Sequence, residues 1–161
     1  MSTTDRKIDA IALILLGSDE AARQRGREEL ARLMEEPPHQ EPTDPTIMIH
    51  EILAEVGVPA GFAGHTYLVD AINAVVQNPL LLEGVTRKDG LYAIVAKKHG
   101  KDWGSIERGV RHCIEGAWQS GNYHEAQQKY CFPVSQVTFI PTPLNFIARV
   151  ANIVRFRTKQ Q

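Results

Sequence analysis

The spacing of apolar residues is the feature that most constrains the fold of this chain. Apolar side chains recur every three or four positions through most of the sequence, as in Phe146, Ile147, Val150 and Val154 near its end. After residue 46 no segment shows a sustained alternation of apolar and polar residues with period two. Because the first pattern is typical of helices and the second of strands, the sequence predicts an all-α protein.

The first 36 residues are predicted to form a helical hairpin. Ile8, Ile11 and Leu15 lie at helical spacing, Gly17 then ends the first helix, and Ser18 is placed to cap the second. A two-helix unit of this length cannot bury both of its apolar faces by itself. We therefore expect residues 1–36 to serve docking on the main domain or dimerisation.

A proline-rich segment follows the hairpin. Residues 37–46 contain four of the nine prolines, and proline both lacks a backbone donor and disfavours helix just before it. This segment is predicted to be a linker, with a helical domain over residues 47–161. Six helices are predicted there, over about residues 47–56, 62–76, 87–99, 102–120, 124–130 and 142–157.

Charge is divided unevenly along the chain. Residues 1–85 contain 6 Lys and Arg against 14 Asp and Glu, whereas residues 86–161 contain 12 against 5. The basic second half indicates either a polyanionic partner or a solvated basic surface.

The apolar run Ile8–Leu16 is far shorter than a membrane span, and two cysteines are too few for a disulfide scaffold. We therefore expect a cytoplasmic protein with no membrane partner.

Two predicted helices have the outline of a helix-turn-helix. The first ends near His99, a short turn contains Gly100, and Asp102 is suited to cap the second helix, which extends to about Ser120. The second helix has an apolar stripe that would be buried, formed by Ile106, Val110, Ile114, Ala117 and Trp118. Any helical bundle contains such joins, so the outline alone does not establish DNA binding.

Charged side chains along the second helix favour DNA binding. An α-helix fits the major groove, where Arg can bind guanine and Glu can accept from cytosine. The candidate base-contacting residues are Glu107, Arg108, Arg111 and His112, and the candidate phosphate-contacting residues are Arg87, Lys88, Lys97, Lys98 and Lys101. The alternative is an amphipathic helix whose charges only face water and form weak pairs such as Glu107–Arg111.

Catalytic and metal-binding signals are weak. Cys113 and Cys131 do not form a Cys-x-x-Cys pair, the six histidines show no ligand spacing, and there is no glycine-rich phosphate loop. We predict neither an enzyme nor a metal site and expect no cofactor.

The motifs of residues 46–158 resemble a known family. They include Val56-Gly57-Val58-Pro59-Ala60, Gly64-His65-Thr66-Tyr67-Leu68, Ile106-Glu107-Arg108-Gly109-Val110-Arg111-His112, Ile114-Glu115-Gly116-Ala117-Trp118 and Phe146-Ile147-Ala148. This order is similar to the C-terminal DNA-binding domain of the sporulation-initiation response regulator, stage-zero sporulation protein A.

The resemblance implies a six-helix, sequence-specific DNA-binding domain that regulates transcription and contacts double-stranded DNA through Glu107, Arg108, Arg111 and His112. It also implies that the last helix pairs tandem copies as a homodimer, through Phe146, Ile147, Val150 and Val154. Residues 122–134 correspond to the segment with which the family approaches a sigma factor of RNA polymerase.

The sequence departs from the family pattern at several positions. Trp103 and Ser105 stand where the family usually has Pro and Arg, and Gly109 and Gly116 replace larger residues. Residues 1–45 are too short for the family's receiver domain, so the phosphorylation switch is expected to be absent. The alternative function is a receiver-less interaction protein that pairs with a full-length response regulator and antagonises it.

Overall fold

The computed structural model describes residues 3–35, 44–121 and 123–160. They divide into two compact units, Met1–Glu41 and Pro42–Gln161. All regular structure in the described part of the chain is helical, which confirms the predicted all-α class. None of the helices in these ranges is long and apolar enough to cross a membrane.

The first unit is a pair of helices, α1 (Thr3–Leu16) and α2 (Glu20–Glu35). They approach each other closely at Gly26, where an added Cβ would lie 2.8 Å from the carbonyl oxygen of Ala10. The predicted cap of α2 is wrong by one residue, because the Asp19 carboxylate accepts the hydrogen bond of the Ala22 N–H at 2.7 Å.

The described residues of the second unit form six α-helices and one short 3-10 helix. These are α3 (Pro45–Val56), α4 (Ala63–Gln77), the 3-10 helix (Pro79–Gly84), α5 (Leu91–His99), α6 (Trp103–Gln119), α7 (His124–Tyr130) and α8 (Pro143–Lys159). The Asp44 carboxylate caps α3 and Pro45 occupies its first turn, so helix begins inside the predicted linker. The rest of that linker, residues 37–43, lies outside the described residues.

Helix α4 is the centre of the second unit and packs against α3, α5, α6 and α8. Its buried side chains include Leu68, Ile72 and Val75. An aromatic cluster closes one end of the core, where the rings of Phe132 and Phe146 stack at 4.9 Å between centroids. This core holds α6 by its apolar side and leaves the opposite side of the helix accessible.

Helix α5 begins four residues later than predicted. Two successive turns precede it, closed by the Arg87 N–H on the Gly84 carbonyl and by the Gly90 N–H on the Arg87 carbonyl. An added Cβ at Gly90 would lie 2.0 Å from the Gly84 carbonyl oxygen, so this close turn requires glycine. Arg87 and Lys88 consequently lie in an exposed turn and not in a helix.

Candidate nucleic-acid interface

Helices α5 and α6 form a helix-turn-helix. Gly100 ends α5 in the left-handed conformation, with φ 62°, and its N–H donates to the Ala96 carbonyl. Asp102 then caps α6, because its carboxylate accepts from the Ser105 N–H at 2.9 Å. The predicted turn and cap are therefore confirmed, and the join is only three residues long.

The buried and exposed sides of α6 separate cleanly. Ile106, Val110, Ile114, Ala117 and Trp118 are buried as predicted, together with Cys113. The exposed side contains Arg108, Arg111 and His112, with Glu115 partly exposed between them. Three of the four predicted base-contacting residues are thus accessible on one side of the helix.

Glu107 lies at the edge of that exposed side. Its side chain is 21% exposed and its carboxylate accepts a hydrogen bond from the Arg111 guanidinium one turn further on. Glu107 also lines a cleft of about 760 Å³ with Tyr92, Trp103, Thr138 and residues 140–144. Burial and the nearby Glu107 charge raise the pKa of Tyr92 to about 12. The predicted pair Glu107–Arg111 exists, and it holds both side chains along the flank of α6.

A second network orients Arg108. The Ser105 hydroxyl donates to the Asp102 carboxylate and lies 3.4 Å from a guanidinium nitrogen of Arg108. The hydroxyl and backbone N–H of Ser105 hold the pKa of Asp102 below its usual range. Ser105 therefore links the helix cap to the exposed Arg108, a role that its position in the sequence does not reveal.

His112 borders the opposite edge of the exposed side. Its ring stacks on that of Phe62, with centroids 5.0 Å apart and planes inclined by 17°. Because Phe62 precedes the first turn of α4, this contact ties the middle of α6 to the start of its neighbour. His112 remains exposed.

The five predicted phosphate-contacting residues are all exposed, but one is already paired. Arg87, Lys88, Lys97 and Lys101 lie on the surface around the helix-turn-helix. In contrast, the Lys98 ammonium forms an ion pair with Asp70 at 2.7 Å, and the neighbouring His99 ring contacts the second Asp70 oxygen at 2.6 Å. Burial alone would raise the pKa of Asp70, but the bonds from Lys98 and His99 outweigh it and lower this pKa.

Two glycines set the distance between α4 and α6. A Cβ added to Gly64 would lie 2.0 Å from the carbonyl oxygen of Gly109, and one added to Gly109 would lie 3.1 Å from the Tyr67 ring. Gly109 therefore allows the backbones of α4 and α6 to come into close contact, which fixes the position of α6. Gly116 differs, because its nearest neighbour would be Pro59 at an ordinary 3.4 Å.

The residues predicted for dimerisation are not on the surface. Phe146, Ile147, Val150 and Val154 are each 0% exposed and form the inward stripe of α8. The prediction that these side chains pair two copies is wrong, since they already pack against the rest of the second unit.

No group of three or more His, Cys, Asp or Glu within the described ranges could hold a metal ion. Cys113 is buried, which raises its pKa to about 11, whereas Cys131 is exposed. Neither thiol lies in the exposed side of α6.

A helix-turn-helix whose second helix presents arginine and histidine to solvent is the arrangement found in helical DNA-binding domains. The sequence matches the family described as "Sporulation initiation factor Spo0A C terminal" over residues 49–154. The chain therefore belongs to this family, and its second unit is a sporulation-type, DNA-binding transcription-regulator domain. The family is a DNA-binding one and not a catalytic one.

Proposed function

We propose that the protein binds specific DNA sequences by inserting the exposed side of α6 into the major groove. The observation that carries this proposal is the accessibility of Arg108, Arg111 and His112 on a helix whose opposite side is fully packed. A helix of this kind reaches base edges with side chains near its start, where Arg108 lies.

Arg108 is the best placed residue for reading a guanine. Its guanidinium is exposed and is oriented by the Ser105 hydroxyl, which is itself held by the Asp102 cap. Guanidinium groups bind guanine O6 and N7 in a bidentate manner. A preoriented side chain loses less conformational freedom on binding, which favours discrimination between bases.

Glu107 and Arg111 act as a pair in this proposal. In the free protein the arginine neutralises the carboxylate. Near DNA, an unpaired carboxylate would be repelled by the phosphates, so Arg111 keeps Glu107 compatible with the groove while its remaining donors face the bases. Glu107 then accepts a hydrogen bond from a cytosine amino group only where it can keep its hydrogen bond with Arg111.

Phosphate contacts come from the exposed cations that flank α6. Lys97 and Lys101 lie at the end of α5 and in the turn, and Arg87 with Lys88 lies in the turn before α5. Lys98 contributes less, because its ammonium would first have to leave Asp70. The family relationship also makes a sigma-factor contact through residues 122–134 and binding of tandem copies part of this proposal, the latter without Phe146, Ile147, Val150 or Val154 as a contact.

The test is selection of bound duplexes from a random pool, followed by titration of the selected and a scrambled duplex over a range of salt concentrations. Arg108→Ala should weaken binding to the selected duplex by about 1–3 kcal/mol and leave the scrambled duplex unaffected. Lys97→Ala should weaken binding to both duplexes and reduce the slope of log K against log salt concentration by about one. Lys98→Ala should reduce this slope less.

Arg25→Ala, which removes an exposed arginine from α2 of the first unit, is the matched control and should change neither affinity. A wild-type protein that selects no sequence, or binds both duplexes alike, would contradict the proposal. That outcome would favour the alternative of an interaction protein that antagonises a full-length regulator.

A further inference from the structure

The cleft beside Glu107 extends along one flank of α6. Trp103, Glu107, Arg111 and Glu115 line it at four-residue intervals, so these side chains follow the helix over about 18 Å. Residues 135–142, which we call the loop wall, form the opposite side together with the first turn of α8. The volume of about 760 Å³ is in the range of sites that bind small organic molecules.

The loop wall is held by its own backbone. The Ser135 N–H donates to the Ile140 carbonyl at 3.0 Å, and the Phe139 N–H donates to the Ser135 carbonyl at 2.8 Å. Ile140, Pro141 and the neighbouring Leu144 contribute apolar surface to the cleft. The cleft is therefore formed before a ligand arrives, and binding requires little further ordering of the chain.

A buried hydroxyl without a partner lines the same cleft. Tyr92 is only 3% exposed, and within the described ranges no residue forms a hydrogen bond with its hydroxyl. Burial, with the charge of Glu107 second, raises the pKa of Tyr92 to about 12, so the hydroxyl keeps its proton at neutral pH. Buried polar groups are normally hydrogen-bonded, so this hydroxyl indicates a position for a polar atom of a ligand.

The charges in the cleft favour a cation. Glu107 is paired with Arg111, whereas the Glu115 carboxylate, which is only partly exposed, forms no ion pair in the described part of the chain. The two carboxylates and one guanidinium of the lining thus leave one negative charge uncompensated. Trp103 is 53% exposed and offers an indole ring on which cations and flat apolar groups pack.

We propose that this cleft binds a small organic cation, an amine or guanidinium carried on an apolar body. The cationic group pairs with Glu115, and the apolar body packs between α6 and the loop wall. The Tyr92 hydroxyl forms a hydrogen bond with a second polar atom of the ligand. A neutral ligand would leave Glu115 unpaired, and an anion would be repelled by it.

Isothermal titration calorimetry of the full chain at neutral pH tests the charge requirement with two probes of one shape. Tryptamine and tryptophol share an indole body, and the first carries an ammonium where the second carries a hydroxyl. Tryptamine should bind about ten-fold or more tightly than tryptophol, because a charge-assisted hydrogen bond is worth at least that factor. Equal dissociation constants, or no binding of tryptamine at about 10 mM, would overturn the proposal.

Glu115→Gln tests whether the cation pairs with this carboxylate. The substitution should weaken tryptamine binding about ten-fold and leave tryptophol binding unchanged, a split that a general loss of structure would not produce. Glu51→Gln, at an exposed position of α3, is the matched control and should change neither dissociation constant. Equal weakening of both probes by Glu115→Gln, or no weakening of either, would overturn the pairing.

Two further variants test the location of the probe without altering a charge. Tyr92→Phe removes only the hydroxyl and should weaken both probes a few-fold, since each has an indole N–H to donate to it. Thr138→Trp, at an exposed position of the loop wall, adds an indole ring to the cleft and should abolish binding of both probes. Unchanged binding in these two variants would overturn the assignment to this cleft.

None of these measurements contains DNA, so their outcome is separate from that of the proposed function. A cation bound beside Arg111 lies next to the proposed base contacts. If both proposals hold, ligand and DNA therefore change each other's affinity by the same factor.

Discussion

The crossing of α4 and α6 gives the sharpest prediction about stability. Replacing Gly64 by Ala adds a Cβ that would lie 2.0 Å from the Gly109 carbonyl oxygen and 2.9 Å from the Cys113 sulfur. Neither neighbour is the end of a flexible side chain on the surface, because Cys113 is fully buried and the carbonyl belongs to the backbone of α6. The two helices must therefore move apart.

Overpacking of this kind costs about 1–3 kcal/mol. For a unit of this size that corresponds to a fall in Tm of about 4–12 °C. The sign of the change in unfolding free energy is informative. Alanine is a better helix former than glycine, so without the close contact Gly64→Ala would stabilise the protein by about 0.5–1 kcal/mol.

Gly116→Ala, on α6, is the control. Its Cβ would meet Pro59 at 3.4 Å, an ordinary contact, so this substitution should raise the free energy of unfolding by about 0.5–1 kcal/mol. Thermal and urea denaturation followed by circular dichroism at 222 nm measure both variants. Equal effects of the two substitutions, or a more stable Gly64→Ala protein, would refute the close crossing.

Three further predictions follow from single side chains. Burial, with the charge of His50 second, lowers the pKa of His65 below 6.5 in the folded state. The unfolded chain therefore takes up the proton first, so stability should fall as pH drops from 7.5 to 5.5, and less steeply in His65→Gln. Cys131 should react with a thiol reagent at pH 8 while Cys113 reacts only on unfolding, and two equally fast thiols would contradict the buried, high-pKa site. Asp102→Ala should lower the Tm by removing the cap of α6, whereas Asp102→Asn should retain most of it, and equal Tm values for both would show that the cap does not matter.

Features set by neighbours in sequence were predictable. The position of α6 and its buried stripe follow from helical periodicity, and Asp102 was identified as its cap because capping involves residues only three apart. The predicted start of α5 is too early because Arg87 and Lys88 suit a helix, whereas the close approach of Gly90 to the Gly84 carbonyl that excludes helix there is not visible in residue propensities.

Features set by the tertiary fold were not predictable. Asp70 lies 28 residues from Lys98, so nothing local indicates that this lysine is paired. The spacing of Phe146, Ile147, Val150 and Val154 is the same for a core stripe as for a dimer stripe, and only the fold shows that these side chains are buried. The accessible side of α6 and the Glu107–Arg111 pair follow from local spacing, but the cleft beside Glu107 does not, because it depends on Thr138 and residues 140–144.

The most direct test of the central claim combines removal of the Arg108 guanidinium with removal of the N7 acceptor of single guanines. Guanines of the selected duplex are replaced one at a time by 7-deazaguanine, which lacks the N7 acceptor, and binding is measured for the wild type and Arg108→Ala at one salt concentration. At one guanine the replacement should weaken binding by the wild type by about 1–3 kcal/mol and leave binding by Arg108→Ala almost unchanged. The coupling energy between Arg108 and that N7 is then large. Strictly additive losses at every guanine would contradict major-groove reading by Arg108.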